Sequence, residues 1–362
     1  MNRFGQNRCR EKNFFNVISY KLSFSTIYKL HLSKLTTLIL LPALFSCQHD
    51  TGNDMAADHI ASETKVMLSY PERPWKISSL DIFAFDKDRA GHLDAYQHCE
   101  GFIGTEINMR SSNGEKTVFI CTEGQRSRLE WSSVNSMEAL DRIFVDLRKE
   151  SRSSLCMSGS ADINAGSGIP LKIDMRTLAS EVTLRSVRCD FTDKAYNDNM
   201  ISDTRVYLTN VNARCSITAE GDVMPTEIIN AGKLDEDYME IMKEPDMLMH
   251  EIPDGIREDI SFVNLSMICY PNAGAKDTPG TPFTRLVIEG KIDGETYWWP
   301  ISINHHEDIA EQGIHRCRQY IYDITITRKG SSDPDEIVDT DALLMKMDIK
   351  SWEEKDDYHI LF

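Results

Sequence analysis

The sequence predicts a mainly β protein: two β-sandwich domains in tandem, with one or two short helices. Three observations carry that expectation. Short runs with two-residue apolar alternation recur from residue 66 onward, and Gly, Pro, Asn and Asp punctuate them. The length beyond the leader suits two domains at ~100–200 residues each.

The first 46 residues stand apart. Arg3, Arg8, Arg10, Lys12, Lys21, Lys29 and Lys34 face a single acid, Glu11, and Leu35–Phe45 then runs eleven residues without a charge. A basic n-region followed by a short apolar h-region reads as a secretory signal over 1–46. Eleven helical residues cover only about half of a ~30 Å hydrocarbon core, which argues against a membrane span. Leu44-Phe45-Ser46-Cys47 closes the run. A Cys at that place marks a bacterial lipoprotein, in which cleavage frees Cys47 as the amino-terminal residue and lipid attaches to it.

Charge and cysteines narrow the function. The chain carries a formal charge of −17, and losing a leader with seven bases and one acid takes the mature protein to about −23. Nucleic acid as a partner needs a basic surface, so that class is excluded. Besides Cys9 and Cys47, seven cysteines stand singly, at 99, 121, 156, 189, 215, 269 and 317. No C-x-x-C or zinc-type spacing occurs, and an odd number cannot pair completely within the chain. Several lie in strand-like runs, where a thiol packs as a small apolar group.

Residues 47–63 are polar and patternless, a tether. Two domains are expected after it, 64–213 and 214–362. Val66, Leu68 and Tyr70 alternate with Met67 and Ser69, and Leu80–Phe85 is apolar on both faces. Thr117–Cys121 repeats that character, while Leu171, Ile173 and Met175 alternate with Lys172, Asp174 and Arg176. Glu181–Cys189, Arg205–Val211 and Ile260–Tyr270 are further strands. Leu286–Ile292 and Thr296–Ile303 flank Asp293-Gly294, a strong hairpin signal because both turn positions tolerate positive φ. Tyr320–Thr327 and Leu343–Lys350 alternate cleanly, and Tyr358, Ile360 and Phe362 close the chain. Met137, Leu140, Ile143, Phe144 and Leu147 share one helical face, started by the capping-box-like Asn135-Ser-Met-Glu138. Leu234–Lys243 is a weaker second helix.

Catalytic motifs are absent from the sequence: no nucleophile elbow, phosphate loop, dinucleotide fingerprint or zinc-protease signature. No enzyme activity, cofactor or metal is expected. His305, His306, His315 and Cys317 match no standard ligand spacing. Asp333, Asp335, Asp339 and Asp341 lack the glycine and closing glutamate of an EF-hand and read as a solvated acidic turn. Trp298 and Trp299 are adjacent on a strand, so at most one can offer a sugar-stacking platform.

The order of segments carries more than any one of them. After the lipoprotein signal and the Val66–Tyr70 strand come Leu80-Asp-Ile-Phe-Ala-Phe-Asp86, Lys116-Thr-Val-Phe-Ile-Cys-Thr-Glu-Gly124, a helix and Leu155-Cys-Met-Ser-Gly159. Then follow Ile169–Val182, Arg205-Val-Tyr-Leu-Thr-Asn-Val211, Trp299-Pro-Ile-Ser-Ile303, Gln319–Ser331 and Ile349-Lys-Ser-Trp352. In this order the mature chain resembles the Bacteroidetes fimbrillins, the lipoprotein subunits and anchors of type V fimbriae.

The resemblance implies two tandem transthyretin-like β-sandwiches and a structural or adhesive role at the outer membrane, where lipid on Cys47 is the attachment. It implies assembly with other fimbrial subunits by β-strand addition, and a receptor on a host or bacterial surface where the role is adhesive. In polymerising members a trypsin-like protease cuts after a basic residue behind the first strand, which then leaves a groove for a donor strand. Mapped here, the exchanged strand carries Val66, Leu68 and Tyr70, and the cut falls at Arg73. Pro74 departs from the pattern, since Arg–Pro bonds resist such proteases; Lys65 and Lys76 are the other bases nearby. The candidate donors are Leu343, Met345, Met347 and Ile349, and Tyr358, Ile360 and Phe362. They serve equally as the last strands of the second sandwich. An alternative of a different class is a surface glycan-binding lipoprotein of a polysaccharide-uptake system, using Trp75, Trp298 or Trp299.

Overall fold

Leu80, Ile82 and Ala84 alternate with Asp81, Phe83 and Phe85, and all six are buried. That double burial is explained by what covers each face in the computed structural model of the chain. It describes residues 61–71, 77–102, 104–122, 128–196, 200–221, 223–274, 276–305, 311–338, 342–352 and 357–361. These belong to one unit, Ala56–Phe362.

The first sandwich opposes two sheets. One has three strands, β1 (Ala61–Ser69), β4 (Glu106–Ser112) and β8 (Leu171–Asp174), in the order β4-β1-β8. The other has β2 (Ser79–Asp86), β3 (His92–Glu100), β5 (Gly114–Thr122), β7 (Met157–Ala165) and β9 (Arg176–Thr177), in the order β3-β2-β5-β7-β9. Val66, Leu68, Met109, Leu171 and Ile173 of the first sheet meet Leu80, Ile82, Val118, Ile120 and Met157 of the second in one core. On the far face of β2 and β5, Phe83, Phe85, Phe119 and Cys121 pack with Trp131, Val134, Leu140, Val145 and Leu147.

The second sandwich follows the same logic. β10 (Ser180–Cys189), β16 (Ser261–Cys269), β19 (Arg318–Ile326), β20 (Leu343–Ser351) and β21 (Asp357–Leu361) form a sheet in the order β16-β10-β19-β20-β21. β11 (Ser202–Thr209), β15 (Met249–Ile252), β17 (Arg285–Ile292) and β18 (Glu295–Ser302) form its partner, β15-β11-β17-β18. Val182, Leu184, Tyr320, Tyr322 and Met347 share a core with Val206, Leu208, Leu286, Ile288 and Trp299. Two short ladders complete the fold: β12 (Val211–Asn212) with β14 (Ile228–Ile229), and β6 (Phe144–Asp146) with β13 (Arg214–Ser216).

Sheet membership switches between Thr177 and Ser180. β10 and β11 pair with strands of the second sandwich, and β13 reaches back to β6. Pairing is decided by distant partners such as the parallel β10–β19 ladder. The first helix is shorter than expected: α1 covers Met137–Asp141, and Ser136 caps it by accepting from the Ala139 N–H at 3.2 Å. Phe144–Asp146 leaves the helical period to pair with Arg214–Ser216, so tertiary pairing overrides local periodicity. α2 (Glu236–Ile241) lies inside the stretch expected for the second helix.

One buried guanidinium ties the sandwiches together. Arg316, just ahead of β19, is 3% exposed. It donates from Nε to the Thr177 carbonyl (3.2 Å), from Nη1 to the Ala219 carbonyl and Glu220 Oε1 (both 2.7 Å), and from Nη2 to the Arg176 and Ser158 carbonyls (2.8 and 3.2 Å). Burial pulls its pKa below the ordinary value even with Glu220 beside it. Removing it strands several buried acceptors, each worth about 1–3 kcal/mol. Arg316→Ala is expected to cost about 3–5 kcal/mol in urea unfolding, and Arg316→Lys to recover only part of that, because an ammonium cannot reproduce the planar fork.

Candidate assembly strand and its slot

β1 occupies the middle of its sheet. It runs antiparallel to β4, from Ala61↔Ser112 to Met67↔Glu106, and parallel to β8, from Val66↔Leu171 to Ser69↔Asp174. Alternation decides which side chains enter the core: Thr64, Val66 and Leu68 are buried, while Glu63, Lys65 and Ser69 face out. The Leu68 N–H donates to the Thr105 carbonyl (2.7 Å), and the Ser69 carbonyl accepts from Met175 N–H (2.9 Å). Tyr70 packs half-buried on the same core, and burial raises its phenol to about 12. Gly159 lets β7 pass close under β8, since a Cβ there would lie 2.4 Å from the Asp174 carbonyl oxygen. Burial of Val66 and Leu68 contributes about 1.5–3 kcal/mol each.

The strand begins earlier than its apolar alternation suggests, at Ala61, and it needs β4, which the sequence pattern missed. Ile107 and Met109 were the only signal there, two apolar residues between Glu106, Asn108 and Arg110. Arg73, Pro74, Lys76 and Trp75 lie outside the described residues, as do Cys47 and Phe362. Lys65 sits inside β1, opposite Asn108, with its ammonium 2.7 Å from Glu106. A protease would reach Lys65 only after β1 had left the sheet.

The terminal strands lie in the second sandwich. β20 pairs with β19 along its whole length, Ile326↔Leu343 to Arg318↔Ser351. Leu343 and Met347 are buried in the core, and Met345 and Ile349 pack against it. On the opposite face Asp348 is buried and accepts from Arg185 Nη2 at 2.9 Å, and Arg185 also pairs with Asp323. β21, which carries Tyr358 and Ile360, pairs only with β20, from Lys346↔Leu361 to Lys350↔Asp357.

The remaining sequence candidates do not converge. Among the described residues no group of three or more His, Cys, Asp or Glu could hold a metal ion. His305 stacks on Phe283 with centroids 3.4 Å apart, and burial lowers its pKa to about 4. His315 Nε2 bonds the Gln312 carbonyl (2.9 Å), Cys317 is buried, and no disulfide joins the seven described cysteines to one another. Trp299 is fully buried with its Nε1 donating to the Arg328 carbonyl (3.0 Å), so the tryptophan pair splits between core and edge. Asp333 and Asp335 form a turn in which Asp333 Oδ1 accepts from the Asp335 N–H (2.9 Å).

No family model matches the chain, and no curated protein sequence matches it. Solved structures do. A candidate cell adhesion protein of Bacteroides eggerthii is 14% identical, with 80% of this chain and 96% of that one covered and a TM-score of 0.62. A fimbrillin of Porphyromonas gingivalis is 12% identical over 81% of this chain and 98% of its own, at a TM-score of 0.57. This chain has the fimbrillin fold. The tip fimbrial protein of the same organism, truncated at its C-terminus, matches at 12% identity over 81% and 100%, with a TM-score of 0.50.

In this fimbrillin fold, Leu68→Ala should lower stability by about 2–5 kcal/mol in urea unfolding, because the slot around β1 cannot collapse. A second expectation concerns acid. The Arg185 guanidinium hydrogen-bonds Asp323 and holds its carboxyl below the usual value. A depressed carboxylate stabilises the fold fully above the unfolded value of about 4, and that contribution is lost as pH falls through the folded value. Amide protection in β20 should therefore drop below about pH 4, and Arg185→Met should flatten that dependence.

Proposed function

We propose that the chain is a non-enzymatic subunit of a Bacteroidetes fimbria: a lipoprotein of the fimbrillin family, held at the outer membrane by lipid on Cys47 and joined to neighbouring subunits by strand exchange. One observation carries the proposal. β1 fills the centre of β4-β1-β8 and is hydrogen-bonded on both edges. Its loss would leave two unpaired strand edges above an apolar floor of Leu80, Ile82, Ile120 and Met157. A donor strand from another subunit satisfies the same backbone groups, and its alternate side chains replace Val66 and Leu68.

The donor side supports an order of release. β21 has a single neighbour, while β20 must give up its ladder with β19 and the Arg185–Asp348 pair. β21 therefore leaves first, carrying Tyr358 and Ile360, and β20 extends the reach with Leu343, Met345, Met347 and Ile349. Arg73-Pro74 resists a trypsin-like protease, which favours a subunit that keeps β1 and therefore accepts no donor: an anchor or a terminal unit. An adhesive terminal unit would meet a receptor on a host or bacterial surface.

Treating residues 48–362 with a trypsin-like protease tests this. A cut between Tyr70 and Ser78, followed by heat- and detergent-resistant ladders, identifies a polymerising subunit. An uncut monomer that still donates its terminal strands to a cut fimbrillin identifies the anchor or terminal role. Failure to donate and to polymerise would sink strand exchange altogether.

A further inference from the structure

The outer face of the β16-β10-β19-β20-β21 sheet carries a groove of about 630 Å³. Three of its lining residues are large, apolar and exposed: Ile260 at 56%, Phe262 at 72% and Leu344 at 58%. Such side chains spread singly need no explanation, whereas a cluster of three in one concavity marks an interaction surface. A β-bulge shapes it. The register of β10 against both neighbours slips between Leu184 and Ser186, so Arg185 is skipped in the register of both ladders. Arg185, Arg188 and Lys346 line the groove with Asp323, and the buried Asp348 beneath them pairs with Arg185 and lies 3.4 Å from Lys346 Nζ, so three cations stand against two carboxylates. Arg188 Nε is fixed by Thr325 Oγ1 at 3.0 Å, and its charge is also felt by Asp190. The groove is thus apolar and locally cationic on a chain of −17.

The complementary surface is on the same chain. In the acidic turn, Ile337 is 58% exposed, beside exposed Asp333, Asp335 and Glu336. Ser331 bridges this turn to the free edge of β18, in the opposite sheet of the sandwich. The core separates turn from groove, so one copy cannot fill its own groove. We propose that the 333–337 turn of a second copy docks in the groove, with Ile337 against Ile260, Phe262 and Leu344, and Asp333 and Glu336 facing Arg188 and Lys346. Because two different surfaces meet, the contact is head-to-tail and can propagate along a row of subunits. It involves no strand exchange and forms while β1 is in place, so it goes beyond the function proposed above.

Sedimentation of uncut residues 48–362 over a concentration series tests the contact, with Phe262→Asp and Ile337→Asp as variants. Both positions are on the surface, so the fold is kept, and circular dichroism verifies it. The expected result is concentration-dependent association that weakens as salt screens the charges. Each variant alone should raise the dissociation constant by about tenfold or more. An equimolar mixture of the two variants should form a 1:1 complex and nothing larger, since only one intact pair of surfaces remains. A wild-type protein that stays monomeric, or a mixture that does, overturns the proposal. So does loss of association in Phe262→Asp but not in Ile337→Asp, which would mean that groove meets groove. None of these outcomes bears on strand exchange, which is read from ladders formed after the cut.

Discussion

Arg316 precedes β19 of the second sandwich, and its donors reach into the first sandwich and the segment after β13. Ser158, Arg176 and Thr177 belong to β7 and β9, while Ala219 and Glu220 follow β13. A buried charge of this kind is costly unless every proton finds an acceptor. Here the cost is offset by the carbonyls of Ser158, Arg176, Thr177 and Ala219 and by the Glu220 carboxylate. Glu150 makes a second link, accepting from the Cys156 N–H and from the Tyr270 hydroxyl (3.2 and 3.1 Å). Arg152 makes a third, donating to the Ser266 carbonyl at 2.7 Å. Polar groups at such a junction fix its geometry more strictly than apolar packing would, because only one arrangement satisfies them all.

Against that fixed junction, the strands at the two ends of the fold differ in how tightly they are held. β1 has two neighbours and two or three side chains in the core; β21 has one neighbour and a five-residue ladder. A strand with two partners leaves only when something removes its covalent tie and a better occupant arrives, whereas an edge strand frays on its own. This asymmetry fits the strand exchange proposed above, with β1 as the tightly held strand and β21 as the loosely held one.

Much of the fold was legible where one short segment fixes its own structure. Asp293-Gly294 takes φ of 54° and 81°, and the ladder closes at Ile292↔Glu295, as a two-residue hairpin demands. Leu171 and Ile173 turn inward and Lys172 and Asp174 outward. Three strands of the first sandwich were missed for separate reasons. β3 is an edge strand whose core side carries only Ala95 and Cys99 around Gln97, too weak an apolar pattern to read. β4 has too few apolar residues, and β7 carries Gly159 where a Cβ would lie 2.4 Å from the Asp174 carbonyl oxygen of β8, which breaks its apolar alternation. The parallel pairings of β1 with β8 and β10 with β19 lie far apart in sequence and leave no local signal. For the same reason no local signal marks where sheet membership changes, between Thr177 and Ser180. Val66 and Leu68 could be read from alternation alone, but nothing in His315-Arg316-Cys317 distinguishes the residue that joins the halves.

The separation of these two features in the fold bears on how assembly can work. No hydrogen-bond partner of Arg316 lies in β1, β20 or β21. The same is true of the Glu150–Tyr270 and Arg152–Ser266 links. A strand can therefore leave or enter at either end without releasing the junction. Nearest to an exception is Trp352, just past β20, whose N–H donates to the Cys317 carbonyl at 3.1 Å, next to Arg316. That bond marks how far β20 can peel before the junction feels it. β21 pairs with β20 beyond that bond, so under the proposed strand exchange it is the segment that can leave without disturbing the junction.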